Sequence, residues 1–200
     1  MAAILSLDPT RTALLVMDYQ PGLLGRVGDP DALLARMARA IAHARNLGFH
    51  LGYVRVAFED ADYDHIPPSN KGFSALAGTR QMKASDPASA VHPVVAPARD
   101  DIVVRKTRVG AFSTTDLDEQ LRGRGVDTLV LAGISTSGVV LSTLRDAADR
   151  DYRLFVLADC CADLDPQVHD MLMTKVFPRQ ADVITSRDLA APGSAARDDE

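Results

Sequence analysis

Residues 128–144 predict a buried strand that runs directly into a helix. Residues 128–132 are apolar without alternation, which is typical of a strand covered on both faces in a parallel sheet. Gly133 and the hydroxyl residues Ser135, Thr136 and Ser137 follow, and apolar residues at helical spacing come next. Such a turn points several backbone N–H groups at one place, which suits an anion or a developing oxyanion. We therefore expect a polar site at this turn.

The same combination of strand and helix patterns recurs along the chain. Other apolar runs of strand length occupy residues 12–17, 51–58, 102–104, 153–158 and 182–185. Further helices are predicted from Asp29-Pro30 to Gly48, from a cap at Thr115 or Asp116 to Gly125, and over residues 166–176. This alternation predicts a single α/β domain over residues 1–190, with three αβα layers and a mainly parallel, Rossmann-like sheet. The small and charged residues of 191–200 predict a disordered tail.

Residues 59–98 interrupt the alternation. They include five prolines and one short helical pattern near residues 72–78. A connection of this length in a compact domain is usually a lid, a binding loop or an oligomer contact. We expect a lid or an oligomer contact here.

Composition narrows the functional classes. The chain has 200 residues, 46% of them hydrophobic and 24% charged, with a formal net charge of -5. No basic stretch predicts a nucleic-acid partner, and no apolar run is long enough to predict a membrane span. The first residues lack a signal-peptide pattern, and adjacent Cys160 and Cys161 are poorly placed to form a disulfide. We expect a cytoplasmic protein that acts on a small molecule.

Polar residues follow several of the predicted strands. Asp18, Lys106, the 133–139 turn and Asp159 all fall where a strand ends, and ligands of such sheets bind beyond those ends. We expect the first three to converge. A carboxylate beside a lysine can act as general acid or base, and the N–H groups of the turn can stabilise charge on an oxygen.

These residues lie in motifs that resemble the isochorismatase-like hydrolase superfamily, which includes nicotinamidases, N-carbamoylsarcosine amidohydrolases and isochorismatases. The similar pieces are, in chain order, residues 15–20 with an Asp-x-Gln motif, 104–108, 111–117, 131–136, 145–148 and 159–162. Each piece alone is a weak signal, and their common order is a strong one. The resemblance covers residues 10–186 and implies the same α/β fold.

The resemblance also implies roles for individual residues. Asp18 would be the catalytic acid or base, Lys106 its electrostatic partner, and Gln20 part of the substrate pocket. Three residues of the turn would also contact substrate: Ile134, Ser135 and Gly138. The Ile134–Ser135 peptide corresponds to one that is often cis in the family. We expect neither a metal nor another cofactor, and a homo-oligomer, either a dimer or a tetramer.

Two positions depart from the family pattern. Val139 stands where many members have a nucleophilic cysteine, and valine has no lone pair with which to attack a carbonyl. True isochorismatases also lack the cysteine and have a glycine there, so the scaffold supports chemistry without a thiol. Residues 59–65, where nicotinamidases bind a metal through an aspartate and two histidines, contain a single histidine, His65. We interpret this segment as a solvated acidic loop rather than a cation site.

Several alternatives stay open at this point. The hydroxyl residues Ser135, Thr136 and Ser137 are interpreted as helix caps rather than nucleophiles, and the two cysteines as small buried residues. The leading functional hypothesis is a hydrolase that acts on a small polar or carboxylate substrate by a non-thiol mechanism. The alternative is a catalytically retired member that binds a ligand or a partner subunit. An amidase with a different nucleophile is the least favoured.

Overall fold

The computed structural model describes residues 7–190, in which six parallel strands form one sheet. The strands are β1 (Thr12–Met17), β2 (His50–Val56), β3 (Ile102–Lys106), β4 (Thr128–Ile134), β5 (Arg153–Ala162) and β6 (Asp182–Ile184). They lie side by side in the order β3-β2-β1-β4-β5-β6. The predicted α/β class and parallel sheet are confirmed. The expected disorder of residues 191–200 lies outside the described residues.

Helices cover both faces of this sheet. They are α1 (Pro21–Leu24), α2 (Pro30–Leu47), α3 (Asp60–Asp64), α4 (Ser74–Thr79), α5 (Leu117–Gly123), α6 (Leu141–Asp149) and α7 (Pro166–Met171). Apolar residues of α2 pack with one set of strand side chains, while those of α5 and α6 pack with the opposite set. None of the helices in the described residues combines the length and apolar character needed to cross a membrane.

The strands at the centre of the sheet are apolar on both faces because both faces are covered. Every residue of β1 and β4 is buried. In β1, Leu15 and Met17 join the core under α5 and α6, whereas Leu14 and Val16 join the core under α2. This arrangement explains why these strands are continuous apolar runs rather than alternating ones.

Several element boundaries differ from the sequence-based expectation. The fifth strand was predicted to end at residue 158, but β5 continues to Ala162 because its pairing with β4 resumes after a register shift, with Cys161 opposite Gly133. The helices around residues 136–140 and 172–176 also begin or end with a π-helical turn. Such irregularities leave no clear periodic pattern in the sequence.

Residues 59–98 fold against the domain as two short helices and 3₁₀ turns. A separate apolar cluster attaches them, in which the Phe58 ring stacks on Tyr63 and meets the edge of Phe73. A parallel bridge between Phe58 and Lys83 holds the returning chain. The segment therefore packs against its own chain, and we refer to it below as the lid segment.

Gly133 permits the close approach of β4 to β1. It is paired with Met17, and a Cβ atom built on it would lie 3.0 Å from the Met17 carbonyl oxygen and 3.1 Å from a Val140 methyl group. The carbonyl belongs to the central ladder and cannot move away cheaply. Only glycine fits here without displacing backbone.

We expect Gly133→Ala to lower the free energy of unfolding by about 1–3 kcal/mol, because the added methyl group overpacks the sheet. Gly123→Ala is the matched control, since a Cβ there meets no atom within 4 Å and alanine favours a helix. Urea denaturation of the three proteins measures the difference. Equal stability of Gly133→Ala and wild type would contradict this account.

Candidate active site

The strand order creates a crevice between β1 and β4. The chain leaves β1 toward β2 and β3, and leaves β4 toward β5 and β6, so the two connections diverge above adjacent strand ends. Ligands of open α/β sheets bind at such a switch point. A cavity of about 290 Å³ lies there and is lined by Asp18, Lys106 and the turn after β4. The three expected elements therefore come together.

Asp18 ends β1 in an unusual backbone conformation. Its φ of 59° is in the left-handed region, which aspartate tolerates better than most residues, and its N–H donates to the Val54 carbonyl at 2.8 Å. The side chain lies at the cavity but is almost wholly buried, with 4% of the residue exposed. The left-handed turn thus places the carboxylate over the sheet end.

Lys106 reaches Asp18 from two strands away. The ends of β3 and β1 are separated by β2, roughly 10 Å at the usual strand spacing. The lysine side chain crosses this gap, and its Nζ lies 2.8 Å from Asp18 Oδ2. Nζ also donates to the Arg108 carbonyl at 3.2 Å, and only 1% of Lys106 is exposed. The result is a buried ion pair with both members held by the sheet.

The two oxygens of the Asp18 carboxylate have different environments. Oδ2 accepts from Lys106, whereas Oδ1 is buried and makes no hydrogen bond within the described part of the chain. Burial raises the pKa of Asp18 above its ordinary 3.8, and the positive charge of Lys106 opposes this effect only in part. The carboxyl group is therefore suited to exchange a proton at its unpaired oxygen.

The turn after β4 supplies the opposite wall of the cavity. Four of its residues line it: Ile134, Ser135, Gly138 and Val139. The Ile134–Ser135 peptide is cis, as expected. Val139 is buried and packs in the hydrophobic core as well as against the cavity. The valine thus presents only apolar atoms of its side chain to the site.

The helix-cap interpretation of the hydroxyl residues holds for the position of Ser135, which is the N-cap of the π-helical turn, but not for its hydrogen bonding. Ser135 makes no side-chain capping bond, and Thr136 Oγ1 instead lies 2.8 Å from His169 Nδ1. The Ser137 N–H is bound by Asp163 Oδ2 at 2.6 Å. The hydroxyl group of Thr136 and the backbone N–H of Ser137 thus fasten the π-helical turn to the chain after β5.

Gln20 also departs from its expected role, because it does not line the cavity. Its Nε2 donates to the carbonyls of Val56 and Ser89 at 2.9 and 2.7 Å, and its Oε1 accepts from the Val56 N–H at 2.9 Å. Every polar atom of the amide is thus bonded to backbone. Gln20 fastens the end of β2 to residues near the end of the lid segment rather than contacting a ligand.

The remaining candidates lie away from the cavity. Cys160 and Cys161 are buried in β5, where burial raises the pKa of both thiols, that of Cys161 to about 12. Such thiols are poor nucleophiles at neutral pH. The Asp159 carboxylate accepts from the N–H and hydroxyl of Ser186 at 2.7 and 2.6 Å. These residues therefore support the fold at the β5–β6 edge.

The acidic segment is a helix rather than a loop. Asp60 and Asp62 of α3 form ion pairs with Arg80 and Arg105. Between residues 7 and 190, no group of three or more histidine, cysteine, aspartate and glutamate residues is placed to hold a metal ion. The Asp62 carboxylate instead ties this segment to β3, and the Asp60 carboxylate joins α3 to the end of α4.

The residues that close the cavity were not predicted from the sequence. The outer wall comes from Leu23, Arg26, Gly72, Phe73, Leu76, Gln81, Met82, Val109 and Leu164. Most belong to the lid segment or to irregular loops, where no periodic signal marks a ligand-facing side. Arg26, eight residues after Asp18 in a glycine-rich loop, was visible only as an isolated charge.

The chain is similar to several known proteins in sequence and in fold. The isochorismatase domain family matches residues 12–188. An uncharacterised isochorismatase family protein, YecD of Escherichia coli O157:H7, is 35% identical over 90% of this chain and 95% of its own length. A ureidoacrylate amidohydrolase, RutB of Methylobacterium radiotolerans, is 33% identical over 82% of this chain and 71% of its own length.

Two further similarities extend the range of activities and confirm the fold. A probable isochorismatase of Pseudomonas chlororaphis is 33% identical over 92% of this chain and 87% of its own length. The solved structure of an isochorismatase family protein from Burkholderia thailandensis superposes with a TM-score of 0.77 at 29% identity, covering 93% of this chain and 96% of that one. The relatives therefore include proteins named for amide hydrolysis and one named for isochorismate hydrolysis.

We expect Lys106→Met to destabilise the protein in a pH-dependent way. Without the ammonium group, burial raises the pKa of Asp18 with no positive charge of Lys106 to oppose it. The Asp18 carboxylate therefore binds a proton more tightly in the folded state than in the unfolded state. Stability is then retained at low pH and lost as pH rises through the raised pKa. The free energy of unfolding should fall by about 3–5 kcal/mol at pH 8 and by less at pH 5.

Urea denaturation at both pH values measures this effect. The control is Lys71→Met, which removes an exposed lysine and should follow the wild type at both pH values. An equal loss at pH 5 and pH 8 for Lys106→Met would refute the charge-based explanation.

Proposed function

This chain belongs to the isochorismatase family of hydrolases, and from that premise we propose that it hydrolyses a small polar or carboxylate substrate without a covalent thiol intermediate. In this proposal Asp18 transfers the proton and Lys106 is its electrostatic partner. The turn after β4 binds the reacting part of the substrate. The substrate is a vinyl ether of the isochorismate kind or another small carboxylate.

The observation that carries the proposal is the asymmetry of the Asp18 carboxyl group. One oxygen is fixed by Lys106 at 2.8 Å, and the other is buried without a hydrogen-bond partner among the described residues, in a side chain that lines the cavity. A general acid or base needs an oxygen that is free to meet the reacting atom and a pKa closer to the working pH than that of exposed aspartate. Burial, which Lys106 opposes only in part, raises the pKa of Asp18, and Oδ1 has no hydrogen-bond partner among the described residues.

Lys106 has two tasks in this mechanism. Its contact with Oδ2 orients the carboxyl group and leaves Oδ1 without a hydrogen-bond partner among the described residues. Its charge stabilises the carboxylate that is left after Asp18 gives up a proton. With a vinyl ether, the proton moves from Asp18 to the substrate carbon, and water adds to the neighbouring carbon of the resulting cation. The proton that water loses returns to Asp18, so the carboxyl group is regenerated and a hemiketal is left. The hemiketal then breaks its ether C–O bond as its hydroxyl proton passes to the leaving oxygen, which gives a ketone and an alcohol.

The non-thiol character of the proposal depends on Val139, which we place at the position of the family nucleophile. Its methyl groups give the cavity an apolar surface where a thiol would form an acyl intermediate. The buried thiols of Cys160 and Cys161 do not line the cavity and are held in the protonated form at neutral pH. Backbone N–H groups of the turn would then hold a carbonyl or anionic group of the substrate rather than an acyl oxyanion on cysteine.

A catalytically retired relative is the second candidate, and Val139 is the observation that favours it. A bulky apolar residue at this wall leaves less room for a reacting carbonyl than glycine would. In that case the cavity binds a ligand, or the protein acts as a partner subunit. The expected cytoplasmic location and the expected homo-oligomer, a dimer or a tetramer, stay predictions.

We expect the wild type to turn over at least one member of a panel containing isochorismate, nicotinamide and N-carbamoyl compounds, and Asp18→Asn to lower kcat by about 10²–10⁴-fold. Asparagine keeps the shape of the side chain but neither gives nor takes the proton. Steady-state kinetics over pH 4–9 measure the effect, and the limb that reports Asp18 should lie above pH 3.8. Turnover that is unaffected by Asp18→Asn would disprove the site assignment.

We expect iodoacetamide to leave wild-type turnover unchanged, because no thiol takes part. Val139→Cys is the complementary variant, since it restores a thiol beside Asp18. Amide hydrolysis by Val139→Cys together with an inactive wild type would support the retired relative instead. Loss of wild-type activity on alkylation of either native cysteine would contradict the non-thiol mechanism.

A further inference from the structure

Arg26 brings an uncompensated positive charge to the cavity. It lines the cavity and is exposed, as expected of a residue at its mouth. Within residues 7–190, no ion pair, side-chain hydrogen bond or aromatic contact involves its guanidinium. The other two charged residues of the cavity, Asp18 and Lys106, neutralise each other. The net positive charge of the cavity therefore lies at Arg26, and an anionic ligand in the cavity is attracted to it.

The backbone around Arg26 is fixed even though its side chain is not. The Arg26 N–H donates to the Leu23 carbonyl at 3.1 Å, which closes the turn at the end of α1. Leu24 and Val27 on either side are buried in the core under α2. Because the chain is anchored before and after it, Arg26 presents its side chain to the cavity from a defined position.

Much of the remaining cavity wall is apolar. Its apolar side chains include those of Leu23, Phe73, Leu76, Met82, Val109 and Leu164. Such a wall suits an uncharged, apolar part of a ligand and penalises a second charge placed against it. The volume of about 290 Å³ is at the lower end of the range for small-molecule sites, so the ligand is small.

We propose that Arg26 binds the carboxylate of a small monocarboxylic acid, whose apolar body lies against the lid and whose reactive bond reaches Asp18. The proposal rests on the proposed function and narrows its substrate to the class of small monocarboxylates, which excludes a dicarboxylate of the isochorismate kind. A guanidinium matches a carboxylate with two parallel hydrogen bonds, which fixes the orientation of the ligand as well as its position. The distance between the carboxylate and the bond to be hydrolysed then becomes the property that selects substrates.

The experiment uses benzoate and benzamide, which have the same shape and differ in charge at pH 7. Dissociation constants are measured by titration calorimetry or NMR for the wild type, Arg26→Gln, Arg26→Lys and Arg99→Gln. We expect the wild type to bind benzoate about tenfold or more tightly than benzamide, a charge-assisted hydrogen bond being of this size. Arg26→Gln should lose that preference while its benzamide affinity stays within about twofold of the wild type.

The two other variants test whether the preference for benzoate depends on the paired hydrogen bonds and on the position of the arginine. Arg26→Lys keeps the charge but not the paired hydrogen bonds, so its preference for benzoate should fall between those of the wild type and Arg26→Gln. Arg99→Gln removes an exposed arginine that does not line the cavity and should retain the wild-type preference. A benzoate preference that persists in Arg26→Gln, or a wild type that does not bind benzoate, would overturn the proposal.

Binding of these probes does not require turnover, so the outcome is separable from that of the kinetic experiment. A wild type that binds benzoate through Arg26 but turns over no substrate would retain this inference and refute catalysis. Where a carboxylate substrate is turned over, Arg26→Gln should raise its KM about tenfold or more and leave the KM of its methyl ester unchanged. Equal effects on acid and ester would indicate a general structural role for Arg26 and would also overturn the proposal.

Discussion

The buried ion pair between Lys106 and Asp18 is the interaction on which the site depends. It joins the ends of β3 and β1 across β2, with an Nζ–Oδ2 distance of 2.8 Å. Removing two charges from water is costly, and a buried pair is retained only where the geometry compensates. Here the left-handed conformation of Asp18, the Arg108 carbonyl and three strand ends in register provide that geometry. The sheet thus determines the protonation chemistry of a residue that lies beyond its edge.

Much of the fold was predictable because the sequences of the central strands indicate that both of their faces are covered. Residues 12–17 and 128–134 are apolar at every side-chain-bearing position but their threonines, and a run of this kind has few stable locations other than a doubly covered strand. The end of β5 was not predictable, because Asp159 interrupts the apolar run while the register shift continues the pairing beyond it. Local periodicity describes which face is covered, but it does not describe how two strands resume pairing after an irregularity.

The site was predictable where chemistry and strand ends coincide, as at Asp18 and Lys106. It was not predictable where a polar side chain is hydrogen-bonded to a part of the chain that is distant in sequence. Gln20 illustrates the limit, since its amide is occupied by Val56 and Ser89, and Thr136 is engaged by His169. Arg26 illustrates the opposite error, because a charge in a loop becomes significant only when the cavity around it is known. Similarity to a family motif predicts that a residue lies at the site, but the hydrogen-bond partners of its side chain determine whether it is available to a ligand.

The lid segment has a consequence for how this scaffold diversifies. The Asp18–Lys106 ion pair is built from strand ends, whereas Phe73, Leu76 and Met82 come from a segment attached through a separate apolar cluster. Loop walls accept substitutions and insertions more readily than a central sheet does. Mutational drift in residues 72–82 can therefore change the shape of the cavity without altering the charge pair. Substrate range and reaction chemistry are separate evolutionary modules in such an architecture, which is one way for a single fold to serve many small molecules.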